Sequence, residues 1–276
     1  MIAQPRDERD ALNCHGVFLK KRVLEEVAKT PGMGVFAEEF GVTFSEPVAI
    51  DLIGVETRDD RDLLFVFECK RAYTKAKTWV FFKDIDQTFR LCRAVSWIMQ
   101  FGYYSRGGDV VDSPVVCSEG YELVASENSF KANQRPVFEA GNQLSKGFLG
   151  FVSTRMSQKI RPSSPLNRTL ECIVPVLVTT AGLYVAAFDL SRISLQTGNL
   201  EGNLELTPQD WLILKHPFSE MTNTSFRDFR KDSPHGQDSK HWSQMHRESL
   251  FVVNSTKLPQ FLSGRFRDYL ANLSMQ

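Results

Sequence analysis

Two apolar, strand-like runs that each carry a carboxylate constrain this chain more than any other feature. Residues 48–55, VAIDLIGV, are aliphatic and interrupted only by Asp51, while residues 63–70, LLFVFECK, close on Glu68, Cys69 and Lys70. The turn-like Arg58-Asp59-Asp60-Arg61 separates them, so the pattern predicts a hairpin. Side chains alternate along a strand, which puts Glu68 and Lys70 on one face and Phe67 and Cys69 on the other. The hairpin also brings Asp51 close to Glu68, and two carboxylates meeting there repel each other unless a cation lies between them. Hard oxygen donors favour Mg2+, which keeps some of its waters for chemistry, with Mn2+ as a substitute. Lys70 is placed to position or help deprotonate an attacking water, or to stabilise charge developing on phosphorus. An exposed Glu-x-Lys pair is ordinarily solvated charge. Here the charges close apolar strands, where they need partners.

The helical segment Gly16–Lys29 (GVFLKKRVLEEVAK), the strand with Asp51 and the run FVFECKRA, taken in that order, resemble the PD-(D/E)XK, or restriction-endonuclease-like, nuclease superfamily. The resemblance covers residues from about Gly16 to Asp189, and its motif is short, so the order of elements carries as much of it as the letters. It implies an α/β fold in which a central mixed β-sheet is flanked by helices, with inserted and C-terminal elaborations. One nuclease-like domain would span 1–276, with a core of about 16–190 and a C-terminal elaboration over 191–276. By the same resemblance Asp51 and Glu68 are metal ligands, Lys70 is the catalytic lysine and Mg2+ is the cofactor. Ile50 stands where some members have proline. The family often adds a glutamate from the first helix, for which Glu25 and Glu26 are the candidates, on a helix with an apolar stripe of Val17, Leu24, Val27 and Ala28. Many relatives also carry a glutamine on the helix after the Glu-x-Lys strand. Gln87 lies on an expected helix reaching about Gln100, and Gln143 on another running from about Val137 to Val152. Gln143 is preferred, because the strongest strand of the chain, Cys172–Val178, follows it.

Charge narrows the partners. Thirty-three basic and 33 acidic residues cancel, which argues against a grip on polyanions by global charge. Binding of nucleic acid has to be local, and one stretch qualifies: between Lys70 and Lys83 lie Arg71, Lys75 and Lys77 and no acidic residue, interleaved with Tyr73, Trp79, Phe81 and Phe82. As a loop after the Glu-x-Lys strand, this stretch could contact phosphates through Arg71, Lys75, Lys77 and Lys83 and stack bases on Trp79. The alternative is a segment whose aromatics anchor the core while its lysines face water.

The five cysteines are odd in number, scattered and without a CxxC pair, as expected in a reducing cytosol. The polar start MIAQPRDERDALN reads as no signal peptide. The uncharged run from Cys172 to Phe188 is short, contains Pro175, and reads as two strands joined at Ala181-Gly182 rather than a membrane span. Residues 102–133 read as small strands and loops, 158–167 as a linker and 218–244 as a polar segment. Leu250–Asn254 reads as a strand, followed by a terminal helix over about 257–273. His235, His241 and His246 have spacings unlike zinc sites, and no P-loop, GxGxxG or GxSxG motif is present. The expectation is a cytoplasmic Mg2+-dependent nuclease acting on DNA rather than RNA, in restriction, defence or repair. The resemblance extends to a homodimer or an assembly with other defence proteins. The other class is a binding or structural subunit that uses the same fold without cleavage.

Overall fold

The central strand of the molecule, β9 (Leu170–Thr179), is buried along nearly its whole length, which makes it a strand covered on both faces. It belongs to a computed structural model that describes residues 16–43, 46–58, 61–72, 77–95, 98–104, 114–126, 129–159, 170–217, 247–264 and 267–268. The described chain is α/β, with thirteen strands in one mixed sheet and three α-helices. In chain order these are α1 (Val17–Lys29), β1 (Gly34–Thr43), β2 (Pro47–Arg58), β3 (Arg61–Lys70), β4 (Thr78–Lys83), β5 (Phe89–Val95), β6 (Ile98–Tyr104), β7 (Val116–Ser126) and β8 (Ser129–Asn133). There follow α2 (Arg135–Lys159), β9, β10 (Gly182–Ala187), β11 (Glu205–Gln209), β12 (Trp211–Pro217), β13 (Arg247–Asn254) and α3 (Leu258–Phe261). The main path of the sheet is β1-β2-β3-β9-β13-β12-β7-β4-β10-β11.

On one side β9 runs parallel to β3 over its full length, from Arg61↔Leu170 to Lys70↔Thr179. On the other, β5 pairs antiparallel with residues 170–173 and β13 parallel with residues 176–179. Pro175, which has no N–H to give, falls in the gap between these two partners, so a proline is tolerated in a central strand.

A helix covers each face beside β2 and β3. On one face α2 lays Val137, Ala140, Leu144, Phe148 and Val152 against Leu64, Val66 and Ile173. The spacing of these α2 residues is that of one helical face. The buried Arg155–Glu171 ion pair ties α2 to β9, and the Arg155 guanidinium lies 5.5 Å from the Phe36 ring. On the other face α1 packs Val23 and Val27, with Leu19 and Leu24, against Leu52, Phe65 and Phe67. Ala28, expected in the apolar stripe, is exposed.

Several expectations change. The helix expected from about Asp84 to Gln100 is a turn followed by the β5–β6 hairpin. The Asp84 and Asp86 carboxylates accept from the backbone N–H groups of Asp86 and Thr88, which offers the chain an alternative to a helix. The basic loop expected up to Lys83 becomes β4 from Thr78 onward, because Trp79 and Phe81 alternate into the core. The segment beyond residue 190, expected as a C-terminal elaboration with a further strand at Leu250–Asn254, supplies β12 and β13 to the middle of the sheet, and β13 contains that strand. The helix α2 continues to Lys159, past the expected end at Val152. Of the expected terminal helix, α3 and the short piece at 267–268 are described. No helix among the described residues is long and apolar enough to cross a membrane.

The packing of α2 makes one glycine indispensable. At Gly141 a Cβ would stand 2.6 Å from Cε1 of His216. That ring is buried, bonded to Asn142 at 3.0 Å and packed on Phe138, so it cannot step aside cheaply. Gly141→Ala is expected to destabilise the protein by about 1–3 kcal/mol. Urea unfolding will show this as a lower midpoint at an unchanged slope.

Candidate active site on the β2–β3 hairpin

The antiparallel register of β2 and β3 runs from Arg58↔Arg61 to Leu52↔Phe67. One step further, Asp51 stands abreast of Glu68. The Cys69 backbone N–H donates to Asp51 Oδ2 at 2.8 Å, which fixes the Asp51 carboxylate against the end of β3. Along β3, Leu64 and Val66 pack on the α2 side while Phe65, Phe67 and Cys69 pack on the α1 side. Alternation therefore puts Glu68 and Lys70 on the α2 side together.

Glu68 is 4% exposed, and Asp51 and Lys70 are half-buried. Among the described residues neither the Glu68 carboxyl nor the Lys70 ammonium makes a hydrogen bond or an ion pair. Burial pushes the Glu68 carboxyl up to about 8, and the Asp51 charge adds to the rise while Lys70 and Lys20 oppose it. Asp51 is also raised, first by burial, against the pull of the Cys69 N–H and Lys20. Burial raises the Cys69 thiol well above its ordinary value, so it is an inert neighbour rather than a nucleophile.

The first helix brings a different residue from the one expected. Glu25 is exposed and occupied by Arg22 and Lys29, and Glu26 is paired with Arg22. Lys20 is the α1 residue that reaches this end of the hairpin, held on Glu39 of β1. A signal for it exists in the sequence: Lys20 stands three, four and seven residues before Val23, Leu24 and Val27, in line with the buried stripe.

Gln143 lies on α2 between Gly141, which abuts His216 of β12, and Gly147, which abuts Ile50 of β2. It is therefore on the layer that faces Glu68 and Lys70, but it is exposed and no hydrogen bond ties it to either. Gln87 is consumed structurally: its amide donates to Val116 O and accepts from Val116 N, each at 3.1 Å.

The expected nucleic-acid surface is largely dispersed. Trp79 is 1% exposed and its Nε1–H points to Glu122 Oε1 at 3.4 Å, so it cannot stack on a base. Lys77 and Lys83 are exposed at opposite ends of β4, roughly 20 Å apart at the rise of a strand. Arg71 is half-buried directly after β3. Lys75 and Tyr73 lie outside the described residues, as do His235, His241 and His246.

Among the described residues no group of three or more His, Cys, Asp or Glu side chains is arranged to hold a metal ion. The site offers two carboxylates, which is what a Mg2+ ion that retains its waters takes from a protein. A separate cavity of about 430 Å3, lined by Phe82, Tyr121, Phe188 and Leu206 among others, lies against β4, β7, β8 and β11 and includes none of the site residues discussed above. No protein-family model, curated protein or solved structure matches this chain.

The raised Glu68 makes a pH prediction for metal-free protein. Between its ordinary value of 4.5 and about 8, native Glu68 keeps a proton that the unfolded chain has released. Stability from this group is therefore complete below about pH 4.5 and is lost as pH rises through about 8. In EDTA, the urea midpoint of wild type should fall relative to Glu68→Gln between pH 5 and 8.5; parallel profiles would mean that Glu68 is ionised throughout.

Proposed function

We propose that this chain is a divalent-metal-dependent nuclease that hydrolyses phosphodiester bonds, with DNA as its substrate. The observation that carries this reading is the buried Glu68 carboxyl, without a hydrogen-bond or ion-pair partner among the described residues, abreast of Asp51 and on the same side of β3 as Lys70. A buried acid without a partner is costly to a fold, and a cation shared with Asp51 removes that cost. Further support comes from the order of elements. A helix precedes the hairpin, and a second helix delivers the chain to β9, which lies against β3. That is the order on which the resemblance to restriction-endonuclease-like nucleases rests. The preference for DNA, and an assignment to restriction, defence or repair, come from that resemblance.

The donor set fits Mg2+ or Mn2+. Asp51 uses Oδ2 for the Cys69 N–H, which leaves Oδ1 for a cation, and Glu68 supplies the second carboxylate. When bound, the metal would polarise a phosphate oxygen and acidify a water. The chain's own residues do the rest. The Cys69 N–H holds Asp51 in one orientation. The Lys70 ammonium, facing the same layer as Glu68, orients the attacking water and neutralises charge that develops on the phosphoryl oxygens. Burial at Glu68 strengthens each of these interactions, because a dry environment screens charge weakly. With a net charge of zero, the grip on the backbone falls to the cations near the site, Lys70 and Arg71, rather than to a broad basic face.

The test is cleavage of supercoiled plasmid by wild type, Asp51→Asn and Lys70→Ala. Nicking is expected with Mg2+ or Mn2+ and not with EDTA. Lys70→Ala should lower the rate by about 10²-fold or more with the fold intact by circular dichroism. A wild-type protein that cleaves neither DNA nor RNA with either metal is a binding module, and the proposal falls.

A further inference from the structure

We infer that Lys20 is the resident countercation of the Asp51–Glu68 pair, a positioning residue parked on Glu39 that competes with the divalent ion for the site. The inference rests on the metal reading above and extends it to how the site is kept while no metal is bound.

Three adjacent strands build the arrangement. In the β1–β2 register Glu38 faces Leu52 and Phe40 faces Ile50, so Glu39 stands abreast of Asp51, as Asp51 stands abreast of Glu68. Three acidic residues therefore follow one another across β1, β2 and β3 in register. Glu39 is the one non-glycine residue with positive φ among the described residues, at 46°. Lys20 reaches this row from α1. Its side chain is 16% exposed, against 58% for Lys21, because it continues the stripe that Val23 and Val27 bury. Its ammonium pairs with Glu39, and its charge acts on Asp51 and Glu68 as well. A lysine ordinarily keeps its head in water. Here the head is held on Glu39, abreast of Asp51, and the buried Glu68 beyond it has no hydrogen-bond or ion-pair partner among the described residues.

Charge counting gives the direction of the effect. Glu39, Asp51 and Glu68 carry three negative charges when ionised, and Lys20 and Lys70 supply two positive ones. A divalent ion raises the positive total to four, one more than the row can match. Removing Lys20 restores the balance with metal bound; in metal-free protein, where Glu68 keeps its proton below about pH 8, it leaves Glu39 and Asp51 facing Lys70 alone.

The experiment is calorimetric titration of metal-free protein with Mn2+, using wild type, Lys20→Met, Lys20→Arg, Lys21→Met and Asp51→Asn. Lys20→Met should tighten Mn2+ binding about five- to tenfold. Lys20→Arg, which keeps the charge, and Lys21→Met, which removes an exposed one, should bind as wild type does. In EDTA, thermal unfolding of Lys20→Met should fall below wild type, and most of the loss should vanish in the Asp51→Asn background. Equal Mn2+ affinity in wild type and Lys20→Met would overturn the inference and leave Lys20 as a structural partner of Glu39. Wild-type binding that Asp51→Asn does not weaken would overturn the metal reading itself. In that case the Lys20–Asp51 thermal cycle still decides, because additive losses would remove Lys20 as a countercation and coupled losses would retain it.

Discussion

The parallel pairing of β3 with β9 is the contact on which the rest of the structure depends. Ten consecutive pairs hold the two strands together, and they join a segment near the start of the chain to one more than a hundred residues later. Everything between, from β4 to α2, is closed into a loop by this pairing, a large entropic cost that burial must offset. The composition of β9 supplies that burial: Ile173, Val174, Val176, Leu177 and Val178 are all sealed. With β9 in place, β13 and β5 share its other edge, α2 lies across one face and α1 across the other. The end of β3 that carries Glu68 and Lys70 is thereby set into the middle of the sheet rather than at a free edge.

That position accounts for the electrostatics. A Glu-x-Lys pair on an edge strand would be hydrated and ordinary. Flanked by β2 and β9, Glu68 loses its water, and the proximity of Asp51 makes ionisation harder still. The same packing turns Cys69 inward and frees its N–H to hold Asp51. The hairpin thus gathers charge where the fold has little solvent to spare, and Lys20 and Lys70 approach the pair from two different elements. The divalent cation proposed for this site would satisfy both carboxylates at once while its remaining waters stay available.

Local patterns in the sequence were legible where one period dominated. The apolar runs at 48–55 and 63–70 predict β2 and β3, the helix expected from about Val137 to Val152 falls within α2, and the unbroken apolar run predicts β9. Segment 84–100, expected as a helix, is not one, because the side chains of Asp84 and Asp86 bond the backbone at its start. Residues 78–83 read as part of a basic loop because Lys75, Lys77 and Lys83 are conspicuous; Trp79 and Phe81, alternating into the core, decide their conformation. The C-terminal strands were underrated because pairing across such sequence separation leaves no local trace.

By itself, then, the sequence determined the hairpin and that Glu68 and Lys70 share one side of β3, since a period of two depends only on neighbouring residues. Tertiary structure decided which charges meet. Docking of α1 on β1, β2 and β3 selected Lys20 and left Glu25 in solvent. Incorporation of β4 into the sheet buried Trp79 and put Lys77 and Lys83 at opposite ends of a strand. Tertiary structure also set the protonation of Glu68, because desolvation is the work of residues packed from several strands and two helices, none of which the motif contains.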